Sequence, residues 1–216
     1  MKPGDAPYRP RVPLGLVCTD EIPGLYRATN PNRRDWDDEG VIHPRQWVVS
    51  SLVWPSVVAG IDDLALLLKL ASEREFLPPP VSLEKLIAEA VFERVRQEVV
   101  PGAPSRLNCV FLALDAYGAA DFAVEQSGEP IIDPATGDVV NWPMLKLVST
   151  GGRPWIALDM RLFSMHPQTA TDERELVDQL ERLDCQARDY WRGRMGPNPL
   201  IEVLIEAVDI PGLKQR

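Results

Sequence analysis

"LEKLIAEAVFERVRQEVVPGAPSRLNCVFLAL", Leu83 to Leu114, is the stretch that decides the fold class. In its first half Leu83, Leu86, Ile87, Ala90, Val91, Val95 and Val99 recur at the spacing of one helical face. The triple proline at 78–80 halts whatever comes before, Ser82 is a suitable N-cap, and Pro101 with Gly102 ends the run. From Cys109 to Leu114 the chain is apolar and short, as a buried strand is. A helix thus passes through a tight turn into a strand. That turn sets Ser105, Arg106 and Asn108 at the mouth of the core, where they hold either the turn itself or a ligand.

Working outward, "GLYRAT" (Gly24 to Thr29) reads as a short strand that delivers Tyr26 and Arg27 to the edge of the loop "NPNRRDWDDEG". Trp47 to Trp54 is a short apolar run, and Ser56 is placed to cap a well-buried helix through Leu70. After the strand at 109–114, Asp115 is placed to cap a short alanine-faced helix. "PIIDPATGDVVNWP" contains a turn, and "MLKLVSTGGRPWIALDMRLF" reads as two strands joined in a hairpin at Gly151 and Gly152, with Asp159 in the second. Thr171 is read as the cap of a long helix with Leu176, Val177, Leu180, Leu183, Ala187, Tyr190 and Trp191 on its buried face. In the last strand, "LIEVLIEAVDI", Ile201, Val203 and Ile205 alternate with Glu202, Leu204 and Glu206.

The chain has 216 residues, enough for one sizeable core, and we expect a tail over 1–13 followed by a single domain over 14–216. The fold class expected is α+β, with a split, mixed β core and peripheral helices. A formal net charge of -9 disfavours general binding to nucleic acid and leaves a basic protein as a possible partner. Cys18, Cys109 and Cys185 are odd in number and widely spaced, which encodes neither a disulfide framework nor a zinc knuckle and fits a reducing compartment. The proline-rich start lacks the apolar run of a signal peptide, and no apolar stretch approaches the roughly 18 residues of a membrane span, so a cytoplasmic protein without membrane contact is expected.

Familiar nucleotide and nucleophile signatures are missing: there is no G-x-G-x-x-G after a strand, no G-x-x-x-x-G-K-[ST] and no G-x-S-x-G. His43 and His166 each stand alone, so no metal site is expected. What remains are polar residues at element ends: Tyr26, Arg27, Ser105, Arg106, Asn108, Tyr190 and Glu202.

In that order, "VFERVRQEVVPGAPSRLNCVF", "ARDYWRG" and "PLIEVLIEAV" resemble the ADP-ribosyltransferase superfamily, in particular its less characterised bacterial branches and, more distantly, toxins that modify DNA bases. The resemblance covers most of the chain after Leu25. It implies an ADP-ribosyltransferase-like fold and NAD-dependent mono-ADP-ribosyl transfer to a macromolecular acceptor, protein or nucleic acid, in a toxin or defence setting. It also implies NAD as co-substrate without a metal, Glu202 as the catalytic carboxylate, and Tyr26, Arg27, Ser105, Arg106, Asn108 and Tyr190 around NAD. The chain departs from the cholera-toxin-like pattern, because Leu200 stands two residues before Glu202 and Ser105 lies in no Ser-Thr-Ser triplet. It departs from the diphtheria-toxin-like pattern in having Tyr26 and Arg27 where His and Tyr would stand.

Each of these residues has a plainer reading. Glu202 and Glu206 fit the solvent face of an edge strand, Ser105 an ordinary turn, Arg106 a surface charge, and Tyr190 with Trp191 a helix face in the core. On that reading the protein is a non-catalytic acidic interaction module on a similar scaffold. A third alternative is a nucleotide-processing relative, with arginines gathered around a phosphate.

Overall fold

A computed structural model describes residues 12–22, 24–28, 41–42, 57–60, 62–63, 65–66, 69, 83–120, 144–147, 149–163, 172–206 and 210–214. The short apolar run at Trp47–Trp54 and the turn expected after Pro130 lie outside these residues, as do both histidines, Ser82 and Thr171.

The decisive stretch folds as its pattern predicts. Helix α1 spans Leu83–Val99 and strand β3 spans Cys109–Ala113, with all five residues of the strand buried. Around them lie β1 (Tyr26–Ala28), β2 (Val41–Ile42), β4 (Met144–Leu147), β5 (Trp155–Asp159), helix α2 (Glu173–Trp191), β6 (Ile201–Glu206) and β7 (Ile210–Lys214). The strands follow the order β2-β7-β4-β1-β3-β6-β5, and every pairing between them is antiparallel. The α+β class holds. The split, mixed core is corrected to an antiparallel order, the parallel contact among described residues being the isolated bridge Leu14↔Ala157.

The hairpin expected between β4 and β5 does not form. Gly151 and Gly152 do turn the chain with positive φ, but β4 pairs with β1 and β7, and β5 pairs with β6. The turn is held from elsewhere: the Glu21 carboxylate accepts from the Ser149 hydroxyl at 2.7 Å and the Thr150 N–H at 2.8 Å. These bonds hold the Glu21 carboxyl below its ordinary range. The same N-terminal segment covers the free edge of β5, where Gly15 N–H donates to the Ala157 carbonyl and Cys18 and Trp155 exchange backbone bonds of 2.9 Å. An edge strand that is buried along its whole length needs such a cover. Gly15 also lets the segment pass closely against the end of the helix α2 that follows β5, since a Cβ there would come within 2.5 Å of the Arg192 backbone.

Helix α2 begins one residue later than expected, with Asp172 rather than Thr171 as N-cap. The Asp172 side chain accepts from the Glu175 N–H at 2.9 Å, a bond the free N–H groups of a first turn require. Asp115 plays a similar part for the helical turn after β3, accepting from the Gly118 N–H at 2.7 Å.

Two cores flank the sheet. Helices α1 and α2 cover one face, where Phe92, Phe111, Ile156, Leu158, Tyr190, Trp191 and Leu204 pack. The indole of Trp191 donates to the Phe92 carbonyl at 2.8 Å and ties the helices together. The opposite face collects Leu25, Val110, Leu112, Trp155, Ala157, Ile201, Val203 and Ile205, with Val12, Leu14 and Ile22 laid against it.

Candidate functional site

The turn between α1 and β3 is built by three side chains of the stretch first quoted. Arg96 donates to both Glu93 carboxylate oxygens, at 2.7 and 3.0 Å, and its remaining nitrogen donates to the carbonyls of Pro101 at 2.9 Å and Ala103 at 2.8 Å. Ser105 completes the knot: its hydroxyl donates to Glu93 at 2.8 Å and accepts the Leu107 N–H at 3.2 Å. Two carbonyls that the turn leaves without a backbone partner, those of Pro101 and Ala103, are thereby satisfied. Ser105 therefore holds the turn.

Arg106 goes the other way, into the core, where only 6% of its surface is exposed. One of its terminal nitrogens donates to Glu202 Oε1 and to the Tyr190 hydroxyl, both at 2.6 Å, and its Nε donates to Glu89 Oε2 at 3.3 Å. The Tyr190 hydroxyl in turn donates to Glu202 Oε1 at 2.8 Å. The guanidinium carbon of Arg106 lies 3.8 Å from the centroid of the Phe163 ring, a cation–π contact inside the protein. Helix α1 supplies Glu89, the turn Arg106, α2 Tyr190 and β6 Glu202.

Burial governs how these groups titrate. It raises the Glu89 carboxyl, against the opposing pull of Arg106, and lifts the Tyr190 phenol and the Cys109 thiol well above their usual values. For Arg106 burial acts downward, but the charges around it, Glu202 foremost, hold it well above its ordinary value. Two carboxylates sharing one guanidinium make the ensemble costly to break, because removing the cation leaves buried charge uncompensated.

Glu202 is fully buried and lies on an interior strand, between β3 and β5. The edge-strand reading is thereby overturned, as is the reading of Arg106 as a surface charge. While Oε1 of Glu202 takes both hydrogen bonds, Oε2 has none. Register places Glu202 in one row across four strands, Tyr26–Ala113–Glu202–Leu158. Arg27 is one position off that row, opposite Leu145 of β4.

Of the seven residues singled out from sequence, Arg106, Tyr190 and Glu202 meet in direct contact, and Tyr26 shares their row. Ser105 and Asn108 stand elsewhere. Asn108 precedes Cys109, whose partner in register is Glu206, four residues along β6 from Glu202 and so roughly 13 Å away at strand rise. There Ser105, Asn108 and Glu206 border an open cleft.

Sequence reasoning missed Glu89 and Phe163. Glu89 had a signal, as a single charge within the apolar run "LIAEAVF" of α1. Phe163 had none, since its role comes from the 3-10 turn Met160–Phe163 folding under Arg106. Asp159, at the end of β5, is a backbone staple: its carboxylate accepts the N–H groups of Arg161, Gly196 and Leu200 at 3.2, 2.8 and 3.0 Å. Among the described residues no three His, Cys, Asp or Glu side chains are grouped to hold a metal ion. No described helix is long and apolar enough to cross a membrane.

With this geometry in view, comparison with known families finds a match over residues 80–210, more than half of the chain, to the family described as "Protein of unknown function (DUF2441)". The chain belongs to that family. The matching segment runs from the start of α1 to the start of β7 and contains all four members of the buried cluster, whereas Tyr26 and Arg27 fall before it. A search among curated proteins finds no match.

Proposed function

We propose that the protein is an NAD-dependent mono-ADP-ribosyltransferase, of a toxin-like or defence-related kind, acting on a protein or nucleic-acid acceptor through Glu202. The observation that carries this reading is the spare oxygen of Glu202, a fully buried carboxylate that Arg106 and Tyr190 orient through its other oxygen. Cleaving the bond between ribose and nicotinamide develops oxocarbenium-like positive charge. A fixed carboxylate that accepts a ribose hydroxyl stabilises that charge without reorganising at the moment of reaction. Under this reading Tyr26, in the same row as Glu202, offers a ring to NAD, while Arg27, one position off the row and so directed to the other face of the sheet, has no part beside Glu202.

The reading requires NAD to displace the side chains that now enclose Oε2, and this makes it easy to break. Nicotinamide release at millimolar NAD and the NAD-dependent rise in Tm are measured for wild type and Glu202→Gln, with circular dichroism to confirm that the variant is folded. Release by wild type that falls by about 100-fold in folded Glu202→Gln is expected. No release above buffer, together with an unmoved Tm, would overturn the proposal.

The second reading, a non-catalytic acidic interaction protein, is favoured by a specific observation: Arg106, Tyr190 and Glu202 are enclosed and bonded to one another, as in a structural core. Under it Glu202→Gln lowers stability, and wild type never cleaves NAD.

A further inference from the structure

The turn that sends Arg106 inward also shapes an open cleft of about 400 Å³ at the ends of β5 and β6, bordered by Pro101, Pro104, Ser105, Asn108, Pro154 and Glu206. Its walls are fixed before any ligand arrives. Three prolines lock their own φ angles, Asn108 N–H donates to the Ser105 carbonyl at 3.1 Å, and Glu206 N–H donates to the Pro154 carbonyl at 3.1 Å. Arg96, which also borders the cleft, has its charge balanced by Glu93 and its donors committed to the turn.

Two side chains are left over. Glu206 is exposed and its carboxylate makes no ion pair or hydrogen bond among the described residues, and Asn108 is exposed with only its backbone engaged. With Arg96 and Glu93 cancelling, the cleft carries one net negative charge on a chain of net charge -9. We propose that this cleft receives the guanidinium of an arginine side chain presented by a basic protein partner. A guanidinium suits it better than an ammonium, because it is planar, weakly hydrated against proline walls, and able to fork onto the Glu206 carboxylate while donating to the Asn108 carbonyl. A preorganised site spends little of that interaction on ordering itself. The inference stands apart from NAD chemistry, since the cleft and Glu202 lie at opposite ends of β6.

The test is an NMR titration of the full chain with N-acetyl-arginine-N-methylamide, with the lysine and glutamate analogues alongside. The proteins compared are wild type, Glu206→Gln and, as a control on the exposed side of α2, Glu181→Gln. Saturable shifts at Asn108 and Glu206 are expected, with affinity reduced about fivefold in Glu206→Gln and unchanged in Glu181→Gln. Shifts that fail to saturate, an equal response to the glutamate analogue, or an unchanged affinity in Glu206→Gln would each overturn the proposal. Equal binding of the lysine analogue would overturn the choice of guanidinium.

Discussion

Along β6, Ile201, Val203 and Ile205 point to a face filled by Leu25, Val110, Leu112 and Trp155, while Glu202 and Leu204 point to the face beneath α1 and α2. The first face is an apolar core of the ordinary kind, stabilised by area removed from water. The second holds, within similar packing, two carboxylates, a guanidinium and a phenol bonded to one another, with Oε2 of Glu202 left over. Apolar packing tolerates loss of a methyl group in graded fashion, whereas a closed ionic network is strong only when complete. The contrast teaches that the same sheet is robust on one side and committed to one arrangement on the other.

The hardest test of that contrast is Arg106→Ala. It strands Glu89 and Glu202 without their cation, and we expect a loss of about 3–5 kcal/mol in urea unfolding at neutral pH. A loss under 1 kcal/mol would mean that the charges find other partners. Leu112→Ala, on the other face of β3, is expected to cost about 2–4 kcal/mol, by lost transfer energy and a cavity, and to cost the same across the pH range. A strong pH dependence for Leu112→Ala would show that the two faces are coupled.

The smallest expected effect, and the sharpest in sign, is that of Glu89→Gln. Burial raises the Glu89 carboxyl above its ordinary value. A raised folded pKa means that Glu89 contributes stability below about 4.5, and that this contribution is lost as pH rises through the folded value. Glutamine keeps an acceptor for Arg106 and does not titrate. The difference between variant and wild type should therefore move in the variant's favour as pH is raised from 4.5 to neutrality. A difference that moves the other way would show that Arg106, not burial, dominates the Glu89 environment.

Much of the architecture could be read directly. Helical spacing located α1 with its observed ends, the alternation in "LIEVLIE" sorted β6 correctly into two faces, and the paired glycines marked a true turn. These are local properties, set by side-chain period and by the φ values a residue tolerates. Ser105 and Arg106 stand out in the sequence, but their opposite directions are hidden there. Whether an arginine after a proline-serine turn meets solvent or the core depends on Glu93, Glu89, Phe163 and Tyr190.

The pairing of β5 with β6 rather than β4 was likewise illegible, because it follows from Glu21 gripping the 149–150 turn and from residues 14–18 covering the edge of β5. Glu202 shows the division most clearly. Its place on a strand opposite Leu204's neighbours is a matter of period two, contained in six consecutive residues. Its burial, its oriented oxygen and its spare one depend on Arg106, 96 residues away, and on a helix that arrives from the other side of the sheet. A charge can remain in an interior only where a counter-charge and donors converge on it, and such convergence exists only once the chain has closed.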